Sequence, residues 1–125
     1  DRAVQLGQTA IAFTEHGNIY QWVAKKMACD KAGIKYLHGV ECYLTEQLYE
    51  YPDVNDLWYE AQQGRSEEEA QKELSDLMES GKKKVRDNYH TILIAKNYDG
   101  ILEINNLVSL SNREDHFYYK PRIMH

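Results

Sequence analysis

Short apolar runs that read as buried strands alternate along this chain with stretches of helical spacing, and that alternation leaves few folds open. Ala10-Ile11-Ala12-Phe13 is a continuous apolar run, the pattern of a strand covered on both faces of an α/β sheet. Polar Thr14-Glu15-His16-Gly17-Asn18 breaks it, with Asn18 placed to cap a helix whose apolar positions Ile19, Val23, Met27 and Ala28 recur before Gly33. Residues 34–44 return to strand, with Leu37, Val40, Cys42 and Leu44 apolar and Glu41 inserted among them. Residues 89–95 are again β-rich, and Asp99 then stands where it caps a helix presenting Ile101, Ile104, Leu107 and Val108 before Asn112. A β-α-β unit followed by a resumed β-α unit predicts an α/β fold with a parallel sheet or barrel, whose function gathers at loops beyond the carboxyl ends of the strands.

Between these halves the character changes. Over about residues 45–87 tyrosines, Pro52 and acidic residues replace the buried-strand pattern, which predicts an inserted excursion between core segments of about 8–44 and 88–125. Ser66 and Glu69 form an S-x-x-E capping box ahead of Ala70, Leu74, Leu77 and Met78, with Gly81 as terminator, so a helix is expected over about 67–80. Leu74, Leu77 and Met78 are expected to pack on the outside of the β/α core. Lys82-Lys83-Lys84 suits the negative end of that helix dipole better than it suits a DNA contact. Residues 113–125, polar and aromatic with Pro121, predict an ordered loop. Residues 1–7 look like the tail of a helix ending at Gly7, and the chain stops just after a proline turn, so both ends read as cut from a longer polypeptide.

The 125 residues suit one small domain. With 15 basic and 20 acidic residues the net charge is −5, the wrong sign for a surface that grips nucleic acid by phosphate neutralisation alone. No apolar run approaches the roughly 18 residues of a membrane span and no signal peptide opens the chain, so a cytoplasmic location is expected. Cys29 and Cys42 sit in apolar surroundings without a second pair, which predicts reduced core thiols.

Chemistry gathers on few residues. Glu15 and His16 occupy the loop after the first strand, Glu41 stands among Val40, Cys42 and Leu44 where a carboxylate needs a positive partner, and His90 precedes the third apolar run. Each also has a plain structural reading: a helix N-terminal acid, a loop hydrogen-bonder, half of an ion pair, a strand-edge histidine. Spacings of tens of residues fix no geometry. Moreover, if 89–95 is a parallel strand, His90 lies at its amino end, away from the usual active face.

The run Ala12-Phe13-Thr14-Glu15-His16-Gly17-Asn18 resembles the T-D-H-G-N motif of PHP domains, and 32–41, AGIKYLHGVE, resembles the A-G-I-K-P-I-x-G-x-E segment that follows it. Residues 90–97 are similar to H-L-x-L-L-A-K-N, 100–109 to the G-Y-x-N-L-x-x-L-V-S helix, and Phe117-Tyr118-Tyr119-Lys120-Pro121-Arg122-Ile123 to F-Y-x-K-P-R-I. In this order the segments resemble the PHP domain of bacterial replicative DNA polymerases of the C family, the DNA polymerase III alpha subunits.

That resemblance implies a partial arc of a distorted, TIM-like β/α barrel with one inserted helical excursion. It places His16, Glu41 and His90 on metal-binding positions, with Glu41 bridging two ions and Glu15, in place of the motif's aspartate, orienting His16 from behind. The complete family site holds up to three divalent ions (Zn, Mn or Mg), which can activate water and clamp both oxygens of a phosphoryl displacement. Further family ligands fall before and after the segments seen here, so the fragment alone is expected to hold as few as no ions and to show neither polymerase nor appreciable nuclease activity. The implied function is chromosomal DNA replication, with a 3′–5′ exonuclease as the module's own activity. The rival readings are a non-catalytic scaffold and a free-standing PHP phosphatase. Implied partners are DNA, through the whole polymerase, and replicase subunits such as the sliding clamp and a proofreading subunit.

Overall fold

The computed structural model describes residues 1–125. By internal contacts the chain divides into two compact units, Asp1–Glu46 with Asp87–His125, and Gln47–Arg86.

The first unit is built on one long strand. After a short helix α1 (Arg2–Gln5) and strand β1 (Ala10–Phe13) comes helix α2 (Trp22–Ala32), followed by β2 (Lys35–Thr45). β1 lies parallel to the first part of β2, Ala10 opposite Lys35 and Phe13 opposite His38. The expected cap at Asn18 is not used: its Oδ1 accepts from the amide of Ile19, and the helix begins at Trp22 with Gln21 as N-cap in the left-handed region, φ 52°. An Asx side chain that bonds its neighbour's amide stabilises a turn, so Ile19 lies in that turn and packs on the core instead of opening the helix. Val23 and Met27 are exposed, against the expectation of a buried stripe. Gly33 ends α2 in the left-handed conformation, φ 69°, as its position predicts.

The second unit (47–86, below) intervenes in the chain before β5, and the elements are numbered along the chain. Strand β5 (Tyr89–Ile94) pairs with β2 antiparallel, Glu41 opposite Ile92 and Tyr43 opposite His90. Helix α5 (Tyr98–Ser111) is capped by Asn97, whose side chain accepts from the Gly100 amide, and not by Asp99, which lies in the first turn. Residues expected to be a loop instead form β6 (Phe117–Tyr118) and β7 (Lys120–Met124), with β7 parallel to the end of β2. The five-stranded sheet is therefore mixed, not parallel. β7 was hidden because its Lys, Pro and Arg lower its strand signal; Arg122 is nonetheless fully buried, with Nε donating to the His116 carbonyl.

Alternation along β2 sorts its side chains. Val40, Cys42 and partly buried Leu44 join Ile104 and Val108 of α5 and Ile123 of β7 in the core. His38, on the same parity, is 2% exposed and binds Asn105 of α5. Cys29 and Cys42 are both buried and unpaired.

In the second unit β3 (Tyr49–Glu50) pairs antiparallel with β4 (Lys83–Lys84), and helices α3 (Val54–Ala61) and α4 (Glu67–Gly81) pack on each other. The sequence reading has no α3, the helix on which α4 packs. Ala61 and Ala70 are the small, fully covered residues of this pair of helices. Gly81 is the last helical residue and Lys82 the cap, extended at ψ 142°.

The capping box forms as expected: Ser66 Oγ accepts from the Glu69 amide and Glu69 Oε2 accepts from the Ser66 amide, 2.9 Å. Those bonds hold the Glu69 carboxyl below its ordinary pKa, the Ser66 amide first and its hydroxyl second. Because the folded value is depressed, the cap is complete above the ordinary carboxylate pKa and fails as pH falls through the folded one. Ser66→Ala should cost about 1 kcal/mol of α4 stability, seen as faster amide hydrogen exchange in its first turn; unchanged exchange there would rule the cap out as a stabilising element.

Candidate metal centre

Glu41 and Tyr43 share the face of β2 opposite the α5 core, as their odd spacing from Val40 and Cys42 requires. The loop after β1 continues along the same edge of β2: the Glu41 amide donates to the Glu15 carbonyl at 3.0 Å, and the Gly17 amide donates to the Glu41 carbonyl at 2.8 Å. This isolated parallel bridge sets His16 against Glu41. His16 Nε2 lies 3.5 Å from Glu41 Oε2.

The other edge of β2 carries β5. Since β5 runs antiparallel, its amino end lies at the carboxyl end of β2, and His90 Nδ1 comes within 3.4 Å of Glu41 Oε1. The difficulty raised by a parallel reading disappears. Three side chains from three elements thus meet at one carboxylate, 18% exposed, flanked by histidines that are 83% and 53% exposed.

Around them stand residues the sequence reading assigned no role. Tyr43 donates its hydroxyl to Glu41 Oε2 at 3.2 Å. Burial pushes the Tyr43 phenol up, with the Glu41 charge and this hydrogen bond adding to it, so Tyr43 serves as a donor. The Lys120 ammonium sits 3.2 Å from His90 Nε2 and 4.4 Å from the Tyr43 ring centroid. Pro121 abuts Gly17. Tyr43 was within reach of sequence, being two residues from Glu41 on a strand. Lys120 was not, because only the β2–β7 pairing brings it here.

Glu15 is placed elsewhere than expected: its carboxylate pairs with Lys25 of α2, whose ammonium also lies over the Phe13 ring. It does not orient His16. Nor do three acidic, histidine or cysteine side chains enclose a single point; the arrangement is two imidazole–carboxylate pairs sharing Glu41. Two ligands of one tetrahedral ion, each about 2.1 Å from it, lie about 3.4 Å apart. The separations of 3.5 and 3.4 Å, one on each carboxylate oxygen, are close to that edge, so His16, Glu41 and His90 are the residues that would hold divalent ions here.

The PHP domain family model matches residues 1–125. The chain belongs to the PHP domain family. Among characterised proteins, the PHP chain is 30% identical over 122 residues to the DNA polymerase III subunit alpha of Borreliella burgdorferi, covering 98% of this chain and 8% of that one. It is 31% identical to the subunit of the same name from Treponema pallidum over 123 residues, 97% of this chain and 8% of that one, and 31% identical to that of Chlamydia pneumoniae over 119 residues, 95% and 7%. The PHP chain therefore spans under a tenth of the length of these relatives. No solved structure gives a significant match. No helix is long and apolar enough to cross a membrane.

Proposed function

We propose that this PHP chain is the metal-binding module of a DNA polymerase III alpha subunit and serves chromosomal DNA replication in the bacterial cytoplasm. The observation that carries the metal reading is Glu41, each of whose oxygens faces a different histidine, His16 and His90. A divalent ion held by such a pair supplies Lewis acidity for phosphoester hydrolysis, the chemistry of a 3′–5′ exonuclease. The chain's own contribution is positional: the backbone bridge at His16 and the antiparallel register at His90 hold both rings on the carboxylate, and Tyr43 restrains Oε2.

Two features support reading the first unit (about 8–44 and 88–125, with about 45–87 inserted) as an arc of a β/α barrel. Helix α5 packs on the sheet face opposite Glu41, and Ile92 and Ile94, on the parity of β5 that shares the Glu41 face, are exposed. A scaffold reading without catalysis, docking DNA through the whole polymerase or a proofreading subunit, draws support from Glu15, which is engaged by Lys25 and lost to the centre.

Calorimetric titration with Mn²⁺ and Zn²⁺ separates these. Saturable binding is expected, weakened about tenfold or more in Glu41→Gln, with circular dichroism showing the fold retained. Absence of binding, or equal affinity in the variant, would leave the scaffold.

A further inference from the structure

Lys120 is delivered to the centre by a constrained turn. β6 and β7 pair with Tyr118 opposite Lys120 and Tyr119 at the tip between them with φ 57°, a left-handed conformation that a residue with a side chain adopts only when its surroundings hold it. Immediately after, Pro121 lies against Gly17 so closely that a Cβ there would stand 2.4 Å from Pro121 Cγ. Between these restraints the Lys120 ammonium lies over the Tyr43 ring and 3.2 Å from His90 Nε2.

An ammonium only donates hydrogen bonds. His90 Nε2 must therefore accept, and the neutral ring carries its proton on Nδ1, the nitrogen 3.4 Å from Glu41 Oε1. We propose that Lys120 is a positioning residue, a resident cation that fixes His90 as its Nδ1–H tautomer against Glu41 and opposes divalent-ion binding there. The second half rests on the metal reading above; the first does not. A divalent ion within roughly 6 Å of an ammonium loses about tenfold in affinity even at the dielectric of water. Lys120 so sets a threshold on loading: an ion on Nδ1 leaves the ring proton on Nε2, and two donors cannot face each other, so the ammonium must be displaced.

The test has two readouts. Long-range ¹H–¹⁵N spectra of the imidazoles, recorded well above the ordinary histidine pKa of about 6.5 and assigned with His90→Gln, report the tautomer without any metal. Wild type should show a protonated Nδ1 and a bare Nε2. Lys120→Met, which keeps the apolar stem over Tyr43, should raise the share of the Nε2–H form, with Glu41 alone left to favour Nδ1–H, and Lys120→Arg should restore the wild-type pattern. Mn²⁺ should bind Lys120→Met about tenfold more tightly than wild type. An unchanged tautomer in Lys120→Met, or weaker Mn²⁺ binding, overturns the proposal. A shifted tautomer with no Mn²⁺ binding by either protein keeps the Lys120–His90 assignment and defeats the metal reading instead.

Discussion

Gly17→Ala should destabilise the fold by about 2–5 kcal/mol, the sum of a left-handed backbone strain of about 1–2 kcal/mol and an overpacking cost of about 1–3 kcal/mol. Gly17 has φ +61°, and an added Cβ would meet Pro121 Cγ at 2.4 Å and the Tyr43 ring at 3.1 Å. Pro121 is rigid and belongs to β7, which pairs with the end of β2, so relief requires shifting a strand or lifting the loop. Lifting the loop breaks the bond from the Gly17 amide to the Glu41 carbonyl and carries His16 from Glu41. Gly7 provides the control, with φ +69° and nothing within 4 Å of a notional Cβ. Gly7→Ala carries the strain without the clash. Urea unfolding of both variants isolates the difference, and equal losses would mean that the Pro121 contact does not hold the loop.

A second large effect is expected at a polar network inside the core. His38 is 2% exposed, with Asn105 Oδ1 at 2.9 Å from Nε2 and the Tyr36 hydroxyl at 2.7 Å from Nδ1. If Nε2–H donates to the amide oxygen, Nδ1 accepts from the phenol, and both ring nitrogens are satisfied. Asn105→Leu or Tyr36→Phe strands one of them, at a cost of about 1–3 kcal/mol each. Tyr36 adds a pH dependence. Burial first, then the charges of Glu15 and Cys29, push its phenol from 10.0 up to about 12. A raised folded pKa means that the folded state holds the proton longer, so this contribution is whole below pH 10 and is lost as pH rises towards about 12. Unfolding measured across that window should steepen in wild type and flatten in Tyr36→Phe; an equally steep alkaline limb in the variant would remove Tyr36 as its source.

Much of the local structure follows from short-range chemistry. The Ser66–Glu69 cap, the Gly33 terminator, β1, β2, β5 and the core faces of α5 are each encoded in a few neighbouring residues, because caps and periodicity act over one or two turns. The cap positions at Asn18 and Asp99 were missed by that same local reasoning. An Asx side chain has competing local acceptor geometries, and Asn97 and the turn at Ile19 used them better. Helix α3 and strand β7 escaped for a different reason: their stability comes from α4 and from β2, which propensity does not count.

The candidate centre divides in the same way. His16, Glu41 and His90 could be singled out from residue type, since a carboxylate on a buried strand needs a positive neighbour. Whether they meet depended on strand direction. Antiparallel β5 puts its first residues beside the last of β2, and a parallel β5 would have put His90 at the far end of the sheet. Glu15 points to Lys25 because α2 passes over it, and Lys120 reaches His90 because β7 closes against β2. Sequence by itself determined which side chains the chain can offer and the strand or helix that bears most of them. Tertiary structure decided which of them share a site, because contacts between residues far apart in the chain depend on strand order, direction and register, and none of these is fixed by local propensity.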